Sequence, residues 1–194
     1  AFGEMPDGRC YFVMELLDGE TLRERLRRGP LSLTQMARLI RSLARALEAA
    51  HDKGVIHRDL KPENIFLADI AHEEPLVKLL DFGVAKLAND GKLAHTEKGQ
   101  ILGTPMYIAP EQASNANDVS FASDIYSLGA VAFECLTGRP PFLAQNTVEM
   151  ITAHLTEIPV APPSLEPEIP EQIDRLVLER LDRDPKGRPS LPHV

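Results

Sequence analysis

Apolar residues recur at helical spacing most clearly between Ser32 and Gly54. Met36, Leu39, Ile40, Leu43 and Leu47 fall on one face, with Arg38, Arg41 and Arg45 on the others. Ser32 followed three residues later by Gln35 predicts a capping box at the start, and Gly54 suits the left-handed turn that closes a helix. The arginine row reads as a solvated face rather than a binding patch. The stretch from Ala122 to Leu136 is apolar on nearly every side, which predicts a central buried helix ended by Gly138 and Pro140-Pro141. Shorter helices are predicted from Glu20 to Arg28, stopped by Gly29-Pro30, and from Thr147 to Thr156. A last amphipathic helix is marked by Ile173, Leu176, Val177 and Leu181 and closed by Asp184-Pro185, after a proline-rich extended stretch from Pro159 to Pro170.

Strand signals are fewer. Cys10 to Leu17 is a short apolar run bounded by turn residues and predicts a buried strand, after which Asp18-Gly19 turns the chain. Ile65 to Ala68 and Leu76 to Leu80 predict two further strands, joined by a polar loop from Asp69 to Pro75. Residues 81 to 111 lack sustained periodicity and carry several glycines, and a loop this long in a compact domain is usually functional. There are no repeats or low-complexity tracts. The pattern is that of an α+β chain, mostly helical, with a few short strands.

Composition narrows the function classes. A length of 194 residues suits one domain or one large lobe, and 43% hydrophobic with 26% charged residues is ordinary globular usage. The net charge of -8 argues against a nucleic-acid partner, which calls for a basic surface. The acidity serves solubility first, with a weak corollary of preference for basic substrates. The two cysteines, Cys10 and Cys135, sit in apolar runs and read as buried thiols in a reducing, cytoplasmic compartment. No uninterrupted apolar stretch is long enough to span a bilayer, so no membrane contact is expected within these residues. The opening Ala1-Phe2-Gly3-Glu4 has neither a basic n-region nor an initiating Met and reads as cut from something longer, which leaves open a membrane anchor elsewhere.

The chemistry is concentrated in His57-Arg58-Asp59-Leu60-Lys61-Pro62-Glu63-Asn64. This loop places a carboxylate, an ammonium and a carboxamide close together. A metal-nucleotide phosphoryl-transfer site needs that set: a group to orient a hydroxyl, a cation for the moving phosphoryl charge, and a neutral metal ligand. Each residue alone is equally at home in a solvated loop. Asp81-Phe82-Gly83 and Ala109-Pro110-Glu111 follow in order, however, and the three motifs together resemble the signature set of eukaryotic-type (Hanks-type) protein serine/threonine kinases. The resemblance covers nearly the whole chain. Gly103-Thr104-Pro105-Met106-Tyr107-Ile108-Ala109-Pro110-Glu111-Gln112-Ala113 and Asp81-Phe82-Gly83-Val84-Ala85-Lys86 are similar to the bacterial branch.

The resemblance implies a protein-kinase-like fold that transfers phosphate from ATP, with Mg²⁺ or alternatively Mn²⁺, to serine or threonine hydroxyls of proteins. It makes Asp59 the residue that accepts or orients the hydroxyl proton and Lys61 the cation near the transferred phosphate. Asn64 and Asp81 become the metal ligands; one Asp and one Asn suffice, because magnesium keeps phosphate and water oxygens as its other ligands. Met14 matches the gatekeeper, Glu15, Leu16 and Leu17 the hinge, Asp18 a ribose contact, and Phe66 the floor of the adenine pocket, where an aromatic is unusual. Glu63 joins the nucleotide-binding set. His57 and Phe82 match the hydrophobic spine, Asp124 the central-helix carboxylate that holds the loop backbone, and Glu111 with Arg188 a buried ion pair; these are architectural. Lys61 and Thr104 match the serine/threonine-specific form, Thr104 as a substrate-positioning residue. Arg58 before Asp59 implies switching by phosphorylation. The only serine or threonine residues between Asp81 and Ala109 are Thr96 and Thr104, which makes Thr96 the expected phosphosite.

The matching residues divide into a last small-lobe strand and hinge, 1–17, and a large lobe, 18–194, cut short at its C-terminal end. No glycine-rich loop of the expected spacing occurs, and the first lysine is Lys53, after the hinge. The small lobe is thus expected to be essentially missing, and residues 1–194 alone are expected to bind nucleotide weakly, turn over negligibly and associate through exposed apolar surface. Protein substrates are the expected partners, with self-association or autophosphorylation in trans among them. Two other readings stay open: a pseudokinase acting as a scaffold, disfavoured by the intact Asp59, Lys61, Asn64 and Asp81, and a small-molecule phosphotransferase of the aminoglycoside-kinase type, disfavoured by Thr104 and Ala109-Pro110-Glu111. A metal-hydrolase reading of His57 and Asp59 is weaker, since no His-x-x-x-His or Cys-x-x-Cys motif accompanies them.

Overall fold

The computed structural model describes residues 2–5, 7–69, 75–82, 105–115 and 118–191. Among them, strands β1 (Phe2–Glu4) and β2 (Cys10–Phe12) pair antiparallel. Strand β3 (Gly19–Thr21) leads into helix α1 (Leu22–Leu26), and helix α2 (Leu33–His51) follows. A 3₁₀ turn (Pro62–Asn64) opens onto β4 (Ile65–Ala68), and β5 (Leu76–Leu79) returns alongside it. Four helices complete the described chain: α3 (Pro110–Ser114), α4 (Phe121–Thr137), α5 (Thr147–Thr156) and α6 (Glu171–Arg180). The order β3-β4-β5 forms a small antiparallel sheet with Ile65 opposite Leu79 and Thr21 opposite Phe66.

The core is built around α4. From Ser123 to Leu136 every residue of this helix is buried, and α2 and α6 both pack against it. Leu39, Leu43 and Leu47 supply the inward stripe of α2, while Arg41 and Arg45 face solvent. The Ser32 side chain accepts from the Gln35 amide and Gln35 returns the bond to the Ser32 amide, the reciprocal cap expected from the pattern. Gly54, at φ 73°, closes α2 with bonds from Gly54 to the His51 carbonyl and from Val55 to the Ala50 carbonyl. Cys135 is a free thiol, and its burial pushes its pKa up; the Cys10 side chain lies outside the described residues.

Three expectations need correction. The run from Cys10 to Leu17 is not a buried strand: only Cys10–Phe12 is extended and paired, and Met14 and Leu16 are 70% and 98% exposed. Their ribbon has a single pairing and no second layer over it among the described residues, and a lone hairpin buries little. The helix expected from Glu20 starts at Leu22, because Gly19–Thr21 is drawn into the sheet by β4 and Thr21 then caps the helix, with Glu24 completing the box. The stretch from Pro159 to Pro170 is not wholly extended, since Pro162–Ser164 closes a 3₁₀ turn. Most of the long loop expected over 81–111 lies outside the described residues.

Beneath the 105–107 segment, His154 of α5 is fully buried. Its Nδ1 lies 2.8 Å from the Tyr126 hydroxyl and its ring meets Phe142 edge-on. Burial pushes the imidazole pKa down to about 4, although backbone groups of Met106 and Pro105 favour the charged form. The unfolded chain, with an ordinary histidine, therefore takes up a proton that the folded chain refuses. Stability is intact above about pH 6.5 and falls as the pH drops toward 4, by up to about 3 kcal/mol from this residue. Urea denaturation of wild type and His154→Gln at pH 7 and pH 4.5 is expected to show a smaller acid loss in the variant; equal losses would remove His154 from the acid response.

Candidate active site

The loop between α2 and β4 is shaped by one carboxylate. Asp124, in the first turn of α4 and 1% exposed, accepts from the backbone amide of His57 at 2.8 Å and from that of Arg58 at 2.9 Å. The His51 Nε2 donates to the same carboxylate at 2.8 Å, and its ring stacks on Phe121. Two successive amides can converge on one carboxylate only if the chain turns sharply, and Arg58 takes a left-handed φ of 65°. For a residue with a side chain that conformation costs about 1–2 kcal/mol.

His57 is buried with both ring nitrogens engaged. Nε2 donates to the Leu80 carbonyl at 3.1 Å, so Nδ1 is the acceptor for the Asp59 amide at 3.3 Å. Phe82 tilts over the ring at 4.7 Å. A histidine committed in this way packs the loop onto the end of β5; it is not disposed as a metal ligand or a base.

The polar side chains meet just beyond. Lys61 Nζ donates to Asp59 Oδ2 at 2.7 Å, and Asn64 Nδ2 donates to the same oxygen at 2.9 Å and to the Asp59 carbonyl at 2.8 Å. Asn64 is buried, whereas Asp59 and Lys61 remain partly open to solvent. The Leu80 amide donates to the Asn64 carbonyl at 2.8 Å, which places Asp81, exposed and left-handed at φ 50°, immediately beyond that junction. The motifs around Asp59 and Asp81, some twenty residues apart in sequence, are thus joined through the ends of β4 and β5.

The other candidate residues are distributed as follows. Met14 and Glu15 lie in the exposed, irregular segment after β2, Leu17 near its end and half-buried, and the Glu15 carboxylate pairs with Lys78 of β5. Asp18 is exposed, and its carbonyl accepts from the Asp69 amide at 2.9 Å. Phe66 is half-buried on β4. The Glu63 carboxylate does not turn toward Asp59; it accepts from Arg23 Nε of α1 at 2.8 Å. Thr96 and Thr104 lie outside the described residues, as does Gly83.

Two ion-pair networks support the site from below. Arg23 also donates to Glu134 of α4 at 2.6 Å and to the Tyr107 hydroxyl, while Tyr107 donates to Glu134 at 2.5 Å. Burial alone would lower the Arg23 pKa, but Glu63 and Glu134 raise it. Burial and Glu134 together push the Tyr107 hydroxyl up, so it stays a donor. The second network joins Glu111 and Arg188 by paired bonds of 2.7 and 2.9 Å. Ser123 donates to Glu111 at 2.7 Å, and Arg188 reaches the carbonyls of Asp182 and Ala122 at 2.7 and 2.8 Å. Burial would raise the Glu111 pKa, but the bonds from Arg188 and Ser123 hold it below the ordinary carboxylate range. The Glu111–Arg188 pair and the bonds from Asp124 to the loop backbone are those the family resemblance implies. His51, Arg23 and Glu134 belong to no motif, and their partners lie 27 to 111 residues away along the chain.

The protein kinase domain family matches residues 4–194. The chain is 39% identical over 194 residues to the serine/threonine-protein kinase pkn3 of Myxococcus xanthus, covering 97% of this chain and 35% of that protein. It is 40% identical over 180 residues to Pkn1 of the same organism, covering 93% and 26%. Against PknB of Mycolicibacterium smegmatis it is 37% identical over 187 residues, covering 95% and 29%. The chain therefore spans about a third or less of the length of these relatives.

Removing one partner of the Glu111–Arg188 pair strands a buried charge. Arg188→Met is expected to lower the unfolding free energy by about 3–5 kcal/mol, and Glu111→Leu added to it to recover much of the loss. Chemical denaturation of the single and double variants checks this; a neutral single variant would show the pair to be dispensable.

Proposed function

This chain belongs to the protein kinase family, and from that premise we propose that the whole protein transfers the γ-phosphoryl group of ATP to serine or threonine hydroxyls of other proteins. The observation that carries the reading is the convergence of Asp59, Lys61 and Asn64 on shared hydrogen bonds, next to the β5 end that bears Asp81. The acceptor oxygen forms its bond to the γ-phosphorus as the bond from that phosphorus to the bridging oxygen of ADP breaks, and the hydroxyl proton passes to Asp59. Lys61, held against Asp59, brings a positive charge to the side where the phosphoryl group moves. In such a reaction positioning and charge supply most of the catalysis.

The donor set fits a hard divalent cation. The Asn64 Nδ2 is spent on Asp59, so the carboxamide offers its Oδ1, and Asp81 offers an exposed carboxylate. Two protein oxygens suffice for magnesium, which keeps phosphate and water oxygens as its other ligands. Membership of the family implies ATP and a divalent cation; magnesium, with manganese as substitute, is the proposed identity. When bound, the cation neutralises the phosphate charge and holds it in line.

Protein substrates follow from the names of the relatives, and self-association that permits autophosphorylation in trans belongs to the same reading. The scaffold and aminoglycoside-kinase alternatives are not favoured beside relatives named as protein serine/threonine kinases. No helix among the described residues is long and apolar enough to cross a membrane, and a cytoplasmic site for this part of the protein is proposed on its two cysteines. Arg58, next to Asp59, makes Thr96 the proposed activating phosphosite.

In the full-length protein, transfer of labelled γ-phosphate to a serine/threonine substrate is expected, and Asp59→Asn is expected to slow it by about 10²- to 10⁴-fold. Undiminished transfer by the variant would sink the assignment. Phosphopeptide mapping is expected to find phosphate on Thr96, and Thr96→Ala to lower activation; an unchanged activity and autophosphorylation pattern would exclude Thr96.

A further inference from the structure

We infer that Gln112 is a positioning residue for Asp59, acting through the backbone carbonyl of Arg58; the inference rests on the phosphotransfer reading above. Gln112 is the third residue of α3, half-buried. Its Oε1 accepts from the Ala109 amide at 3.2 Å and its Nε2 donates to the Arg58 carbonyl at 2.9 Å. An amide N–H can only donate and a carbonyl can only accept, so the two partners fix which end of the carboxamide faces which.

The peptide that links Arg58 to Asp59 is clamped on both edges. Its carbonyl is bound by Gln112, and its N–H by His57 Nδ1 at 3.3 Å. The preceding N–H, on Arg58, is held by Asp124. A peptide unit is planar, so fixing its two polar edges fixes the direction in which the chain enters Asp59. Arg58 is left-handed at φ 65°, a conformation that relaxes unless its neighbours hold it. Asp124 holds the amino side of that residue and Gln112 the carbonyl side. Gln112 is itself anchored, because the residue before it, Glu111, is locked to Arg188. The segment that follows residue 105 thus touches the 57–64 loop at its strained residue, one position before the carboxylate proposed to take the proton.

Two variants separate this role from simple helix capping. Gln112→Glu keeps an acceptor for the Ala109 amide but has no donor for the Arg58 carbonyl. Gln112→Met lacks both. In the full-length protein, both are expected to lower kcat by about 10- to 100-fold, the scale of a small misplacement of a reacting group, while the KM for ATP stays within about twofold and the Gln112→Glu protein melts like wild type. If capping alone matters, Gln112→Glu keeps wild-type kcat, and the inference is overturned. Amide hydrogen exchange supplies a readout that needs no activity: the Arg58 and Asp59 amides are expected to exchange about tenfold faster in both variants. A wild-type protein without phosphotransfer would end the functional reading, and exchange would then decide alone whether Gln112 holds this peptide. Unchanged exchange in Gln112→Glu, or faster exchange with an unchanged kcat in an active protein, overturns the positioning role.

Discussion

The carboxylate of Asp124 is the constraint on which the site hangs. It is buried on a helix whose other positions are mainly apolar, and a charge in such surroundings is costly unless its lone pairs are filled. His51 and two consecutive backbone amides fill them. That arrangement requires a concave turn of the chain, and the turn requires a left-handed residue at Arg58. The hydrogen bonds from the two amides therefore offset both the burial of the carboxylate and the strain at Arg58. Without the amides the charge would be stranded, and without the charge the loop would relax.

The same logic recurs along α4. Its buried polar side chains, among them Asp124, Ser127 and Glu134, each fasten a segment arriving from elsewhere: Asp124 the 57–64 loop, Ser127 the Tyr107 carbonyl at 2.7 Å, Glu134 both Arg23 and Tyr107. Glu111 and Arg188 add a fourth tie, from α3 to the chain after α6. Buried ion pairs contribute little net stability compared with apolar groups of the same volume. Here the ties join particular loops to particular turns of the helix, while the apolar contacts of α2 and α6 supply the cohesion.

What could be read along the chain was whatever depends on near neighbours. The capping box of Ser32 and Gln35, the stripe of α2, the left-handed Gly54 and Gly138, and the all-round apolar α4 are local or periodic patterns, and they appear in the structure where the pattern put them. The strand β3 was missed because three residues, Gly19–Thr21, carry no periodicity; β4 makes them a strand by pairing with them. The exposure of Met14 and Leu16 was misjudged because an apolar run predicts burial only if something covers it. Glu63 reads as part of a nucleotide set by its place in the motif, yet its carboxylate faces Arg23, a partner 40 residues earlier that no local pattern announces.

A similar division runs through the candidate site. Asp59, Lys61, Asn64 and Asp81 could be picked out because phosphoryl transfer restricts each role to one or two residue types. The groups behind them are under a weaker chemical constraint and a stronger geometric one. Chemistry alone asks only for a donor in reach of the Asp124 carboxylate where His51 stands, and for one donor and one acceptor where Gln112 bridges. Burial follows the same line: Asp124, His57 and Arg188 are sealed, whereas Asp59 and Lys61 keep about a third of their side-chain surface open, at 27% and 36%. Asp59 and Lys61, the residues proposed to act on the substrate, stay reachable and are named by their chemistry; Asp124, His57 and Arg188 are buried and are named by where the fold brings them.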